Sequence, residues 1–253
     1  MQTTRSRPRI APSLGDLLAP GALAAEFQPV FDVSSPGLPI RYLEGLVRGP
    51  RGTGLVRPER LFEHARRLRA EADVDRACVR AVLGAACRSE RAVGVNVRQT
   101  TLSGDRDFVR FLVSQLQASA LDPDLLVLEV LEQGRITDAR VLQQNLHELQ
   151  SMGVRLAVDD FGTGQANYAL LLYCRPEYLK LAGEFVAGCH ADPRRQALLR
   201  SILALGREVG ASVVAEGLED PEDLAFVRGA GITLLQGYLL GRPGRCDSWP
   251  RAA

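Results

Sequence analysis

The chain has 253 residues, 46% of them hydrophobic and 24% charged, with a formal net charge of +1, which suits one large soluble domain or two small ones, with ample apolar content for a core. That near-neutral balance offers no electrostatic case for a DNA, RNA or anionic membrane partner, and no apolar run approaches the roughly 18 residues of a membrane span. The five cysteines, Cys78, Cys87, Cys174, Cys189 and Cys246, are odd in number and form no C-x-x-C pair, as expected of free thiols in a reducing cytoplasm.

In chain order, residues 1–24 lack the apolar segment of a secretion signal and read as a loose leader with one short helical turn. The runs EFQPVFDV (26–33) and PIRYLEGLV (39–47) read as strands joined by the short turn SSPGLP, so they pair antiparallel. Helical patterns at 57–70 and 73–89 follow, then strand AVGVNV (92–97) and a helix over 105–118. Strand LLVLEV (125–130) precedes a helix over 137–151 opened by Thr137-Asp138. RLAVDD (155–160), a helix over 166–173, YLKLA (178–182) and a helix over 194–209 continue the alternation. SVVAEGL (212–218), a helix over 220–229 opened by Asp220-Pro221, and LLQGY (234–238) complete it.

From residue 92 onward the strand–helix alternation implies parallel strands with right-handed crossovers. Eight strands in about 250 residues point to a TIM-like (β/α)8 barrel with an antiparallel first strand; a doubly wound open sheet is the competing fold. The barrel is expected over 25–245, with 246–253 as a C-terminal tail.

Polar residues end the strands: Glu44, Asn96, Glu129 with Glu132, Asp159-Asp160, Lys180, Glu216 and Gln236. Such barrels build their active sites at the C-terminal ends of the strands. Carboxylates converging on one mouth repel strongly unless cations intervene, and hard oxygen donors suit Mg²⁺, Mn²⁺ or Ca²⁺ rather than zinc. The adjacent Asp159 and Asp160 fit a site of two ions in which one carboxylate bridges. The basic total of 31 contains a single lysine, Lys180, whose compact, tunable ammonium differs from an arginine. His64, His147 and His190 lie far apart and make no metal-spaced cluster.

The motifs FQPVFD, YLEGLVRG, VNV, LEVLE, AVDDFGTG, YLKLA, VVAEGLE and LQGYLLGRP, in this order over roughly 25–243, resemble those of the EAL-domain phosphodiesterases, which hydrolyse cyclic di-GMP to linear pGpG. The resemblance implies that Glu44, Asn96, Glu129 and Asp159 hold a first Mg²⁺ or Mn²⁺ ion. Asp159, Asp160 and Glu216 would hold a second, directly or through water. It further implies that Lys180 holds the attacking water and that Glu132 steadies the loop after the aspartate pair. Gln28, Leu46, Arg48 and Gln236 would contact the dinucleotide or sit beside the water, with Arg48 on a phosphate. The family's tendency to dimerise makes a homodimer the expected assembly.

The chain also departs from the family pattern. Gly45 replaces the alanine of Glu-Ala-Leu, where little harm is expected. Arg98 stands in place of a serine, where it either clashes or grips a phosphate. Gln165-Ala166-Asn167 replaces Tyr-Ser-Ser. Ala182 removes an aspartate two residues after Lys180, which should lower the lysine's pKa and loosen it. A non-catalytic EAL domain that binds cyclic di-GMP or a protein partner is therefore the alternative to a working enzyme.

Overall fold

The computed structural model of the protein describes residues 12–86, 91–131, 135–163 and 167–250. Its strands are β1 (Ala24–Asp32), β2 (Ile40–Arg48), β3 (Val93–Arg98), β4 (Leu126–Leu131), β5 (Arg155–Phe161), β6 (Tyr178–Leu181), β7 (Ser212–Ala215) and β8 (Leu234–Leu235). They close into a barrel in sequence order. Strands β2 to β8 run parallel, each to the next, whereas β1 is antiparallel to both β2 and β8. The expected barrel is thus the observed one. The open sheet is excluded because Phe31 and Asp32 pair with Leu235 and Leu234 and leave no free edge there.

The helices are α1 (Leu14–Leu18), α2 (Pro58–Arg67), α3 (Glu71–Ala85), α4 (Gln99–Gly104), α5 (Phe108–Ser119), α6 (Ala139–Ser151), α7 (Asn167–Tyr173), α8 (Gly183–Val186), α9 (Pro193–Val209) and α10 (Pro221–Gly229). Local chemistry starts several of them. Asp138, Asp192 and Asp220 accept backbone N–H groups at the first turns of α6, α9 and α10, satisfying donors that a helix start leaves unpaired. No helix among the described residues is long and apolar enough to cross a membrane.

The structure differs from the sequence expectation in two places. Helices α4 and α8 have no counterpart in the periodicity. Helix α4, QTTLSG, has weak propensity and no side-chain cap, and it holds through tertiary contacts such as Asn145 Nδ2 donating to Leu102 O at 2.8 Å. Strands β7 and β8 are shorter than expected. The chain leaves strand geometry at Gly217, whose φ is 65°. Gly237 passes so close that a Cβ there would lie 2.1 Å from Leu218 O. Backbone pairing still continues across the two loops, with Leu218 N donating to Gln236 O at 3.1 Å.

Two apolar layers organise the interior. Residues facing outward from the strands pack with the helices in one large core. Val30, Tyr42, Ala92, Val127, Ala157, Tyr178, Val214 and Leu234 form a separate buried cluster inside the barrel. Side chains alternate with period two along a strand, so the next inward position lies one layer nearer the mouth. That layer is Glu44, Gly94, Glu129, Asp159, Lys180, Glu216 and Gln236, with Gln28 on the antiparallel β1 and Asn96 one step further on β3.

Candidate active site

Lys180 Nζ lies 3.1 Å from Glu44 Oε2, 3.0 Å from Asp159 Oδ1 and 2.7 Å from Glu216 Oε1, and it also pairs with Glu129 Oε2. Asn96 Nδ2 donates to Glu44 Oε1 at 2.9 Å and Gln236 Nε2 to Glu44 Oε2 at 2.8 Å. Lys180, Glu44, Glu129, Asp159 and Gln236 are all buried. Glycine at position 94 makes the arrangement possible, since a Cβ there would lie 2.0 Å from Glu129 Oε1.

One ammonium cannot neutralise three buried carboxylates and the half-buried Glu216, and the pKa shifts express that imbalance. Burial pushes Glu129 well above the usual carboxylate range, with the Glu44 charge adding to it. Burial likewise raises Glu216 well above that range, and Asp159 above it, against the opposing pull of Lys180. For Glu44 burial acts upward too, but Lys180 and the Asn96 and Gln236 amides outweigh it and the net shift is downward. Burial would depress Lys180, yet Asp159, Glu129, Glu216 and Glu44 together raise it well above the usual ammonium value.

The donor set fits a divalent cation. Glu44, Glu129 and Asp159 each present one oxygen, and the three lie within 4.8 Å of one another. Glu129 Oε1 and Asn96 Oδ1 are buried and have no hydrogen-bond partner among the described residues. Hard oxygens, surplus negative charge and orphaned acceptors are what Mg²⁺, Mn²⁺ or Ca²⁺ would satisfy.

Beside the cluster opens a cavity of about 460 Å³, lined by Leu46, Asn96, Asp159 and Asp160 and, from α2, by Phe62 and Arg66. Asp160 is exposed and left-handed, with φ 51°. That backbone turn keeps it on the cavity while Asp159 points to the lysine. Asp160 is thus near the buried trio without belonging to it. Gln28 faces the mouth beside Glu44 in the β1–β2 register, and its Nε2 donates to Gly241 O at 3.0 Å. Arg48 is engaged within the chain: its Nε and Nη2 both lie 2.9 Å from Glu26 Oε2. Glu132, Gln165 and Ala166 lie outside the described residues, and Asn167 opens α7.

Two sequence expectations are corrected. Arg98 neither clashes with the mouth nor faces it. It is 1% exposed and paired with Asp75 at 2.9 Å, because α3 supplies a buried carboxylate behind β3. Nor does Ala182 leave Lys180 loose with a lowered pKa, since the four carboxylates hold it. Strand β6 ends at Leu181, and Ala182 begins α8 as its N-cap rather than continuing the inward face. The sequence reading missed the contribution of α2 to the cavity and the clearance at Gly94. A glycine facing inward two residues before Asn96 was the available signal for the latter.

A family model described as "EAL domain" matches residues 13–243. Over 232 residues the chain is 32% identical to the cyclic di-GMP phosphodiesterase NbdA of Pseudomonas aeruginosa, covering 87% of this chain and 29% of that protein. Over 123 residues it is 36% identical to the probable cyclic di-GMP phosphodiesterase PdeA of Escherichia coli, covering 49% of this chain and 17% of that protein. The chain therefore spans less than a third of the length of either relative. Among solved structures, the PaMucR phosphodiesterase in complex with c-di-GMP superposes with a TM-score of 0.76 at 28% identity, covering 93% of this chain and 97% of that one. The manganese/cy-diGMP complex of Klebsiella pneumoniae BlrP1 gives 0.75 at 28% identity, covering 89% of this chain and 57% of that one.

Proposed function

The chain belongs to the EAL-domain family, and on that premise we propose that it hydrolyses cyclic di-GMP to linear pGpG with two divalent cations, Mg²⁺ or Mn²⁺. The observation that carries the reading is the convergence of Glu44, Glu129, Asp159 and Glu216 on Lys180 at the mouth of a closed barrel. Glu44, Asn96, Glu129 and Asp159 would hold one cation, and Asp159, Asp160 and Glu216 the other. When bound, such ions lower the pKa of a water molecule and offset charge on the phosphoryl oxygens.

The remaining work falls to the chain's own groups. Lys180 orients the attacking water and adds positive charge where negative charge develops. Its rigid seat among carboxylates favours that role, because a preorganised donor needs no rearrangement during reaction. Gln236, fixed on Glu44 at 2.8 Å, limits where the water can sit. Arg48 leaves Glu26 to meet a phosphate, while Gln28 and Leu46 bound the dinucleotide. Glu132 is assigned the steadying of the loop after Asp160 only as the family resemblance implies. The protein acts in the cytoplasm, where its substrate is a second messenger.

The test is incubation of the purified chain with cyclic di-GMP and Mn²⁺ or Mg²⁺, followed by chromatography of the nucleotides. Conversion to pGpG that chelation stops and Glu129→Gln abolishes is the expected result. Tight binding without any conversion would replace the hydrolase by a cyclic di-GMP receptor.

A further inference from the structure

Arg98 is the largest side chain buried to within 2% exposure, and nothing in the proposed chemistry uses it. It is fixed from three sides. Its Nη2 lies 2.9 Å from Asp75 Oδ1 and donates to Glu71 O at 2.7 Å, which ties the end of β3 to α3. Asp75 is held in turn by the Thr101 hydroxyl. The guanidinium lies over the Phe62 ring of α2, with its central carbon 4.6 Å from the ring centroid, a cation–π distance. Phe62 itself lines the cavity that Asn96, Asp159 and Asp160 share.

We propose that Phe62 is the platform on which one nucleobase of the bound dinucleotide stacks, and that Arg98 is the positioning residue that holds this ring in place. This rests on the reading of the site as one for cyclic di-GMP. A phosphodiester at the carboxylate cluster leaves its bases to find flat, apolar surface nearby. A cavity of about 460 Å³ is within the usual range for small-ligand sites, roughly 300–1,000 Å³. Any aromatic ring offers a π-face to a purine. What is particular here is the fixed cation over the ring. Arg98 cannot swing away without depriving the buried Asp75 of its counter-charge, so α2 keeps its aromatic wall in register with the end of β3, two residues beyond Asn96.

The measurement is calorimetry of cyclic di-GMP in Ca²⁺, the ion of a solved BlrP1 complex with the dinucleotide, together with steady-state kinetics in Mn²⁺. Phe62→Ala should weaken dinucleotide binding by roughly five- to a hundred-fold. It should raise KM far more than it lowers kcat, and leave Mn²⁺ affinity as it was. Phe62→Trp should keep the affinity, and its fluorescence should be quenched as the dinucleotide is added. Arg98→Met alone strands Asp75, so it is paired with Asp75→Asn, which removes both buried charges and leaves an amide oxygen to accept from the Thr101 hydroxyl. That double variant should keep its melting transition and Mn²⁺ binding while losing several-fold in dinucleotide affinity. If Phe62→Ala binds cyclic di-GMP as tightly as the unsubstituted chain, the stacking platform is wrong. If the double variant binds unchanged, Arg98 has no positioning role. If the unsubstituted chain binds Mn²⁺ but no cyclic di-GMP, the functional reading itself falls, and this proposal with it.

Discussion

A methyl group on Gly45 would lie 2.4 Å from Val82 Cγ1 and 2.9 Å from the Gly94 carbonyl oxygen, so alanine cannot enter without moving α3 or β3. Gly45 is thus required by Val82, where the sequence alone suggested only a harmless change. Overpacking of this kind costs about 1–3 kcal/mol. We expect Gly45→Ala to lower stability by that amount in denaturant melts. In the background of Val82→Ala the same substitution should cost far less, and a strictly additive double-mutant cycle would contradict the packing account. Lys180 poses the electrostatic counterpart. Replacing it with methionine leaves four carboxylates without a counter-charge, a loss on the order of 3–5 kcal/mol for a broken buried pair. In chelator, Lys180→Met should therefore melt well below the unsubstituted chain. Added Mn²⁺ should close most of that gap by binding the folded state alone, while on the proposed mechanism hydrolysis should stay absent, because the group proposed to orient the water is gone.

At the scale of elements, the loop after α8 is fastened to the first turn of α10 by one carboxylate. Asp223 accepts the backbone N–H of Gly188 at 2.7 Å and of His190 at 3.0 Å, and pairs with His190 Nδ1 at 2.8 Å. Burial would raise its pKa, yet these hydrogen bonds bring it down to about 2 from 3.8. A carboxylate lowered in the folded state stabilises above its unfolded value and loses that contribution as pH falls through the folded one. His190 is raised from 6.5, chiefly by its bond to Asp223. Its contribution is complete below the unfolded value and fades as pH rises through the folded one. Asp223→Asn should therefore be most destabilising between about pH 4 and 6.5, with the deficit shrinking toward about pH 2 and again in the alkaline direction. Denaturation midpoints of both chains across pH 2–9 test it; a deficit independent of pH would count against this clamp. The neighbouring Asp220 N-cap, bonded to Glu222 N at 2.7 Å, should be indifferent to the change.

For the whole molecule, the closure of the barrel is uneven. Strands β3 and β4 pair over six residues each, whereas β8 offers only Leu234 and Leu235 to β1 and β7. The β1–β8 seam is braced from outside by the chain beyond β8. Trp249 Nε1 donates to Phe27 O at 3.0 Å, and Phe27 exchanges backbone hydrogen bonds with Gly244. A Cβ on Gly241 would meet the Trp249 ring at 2.7 Å, so the indole sits directly on the loop that receives Gln28. Local opening follows the least-paired backbone. Hydrogen exchange should be slowest at β3, β4 and β5 and fastest at the seam. Trp249→Ala should speed exchange of the β1 and β8 amides while leaving β3 to β5 unchanged; uniform acceleration would mean that the barrel opens as one unit.

Sequence alone determined the strand spacing, the antiparallel entry of β1, and the identity of the polar residues at the mouth. These are local matters: period-two alternation, short turns and caps such as Asp138 and Asp220 are written within a few residues of where they act. It could not determine which charges cancel, because the partners are far apart in the chain. Glu44 and Lys180 are separated by 136 positions, and Gln236 reaches Glu44 across 192. Arg98 looked like a cation facing the mouth until Asp75, 23 residues earlier, claimed it from α3. Arg48 is met by Glu26 across the β1–β2 pair, a partner that the spacing of the chain did not reveal. Ala182 looked like a lost counter-charge until four other carboxylates surrounded the lysine. In each case residue type was legible from the chain, but net charge at a point depends on every group within a few ångströms, and only barrel closure brings those groups together.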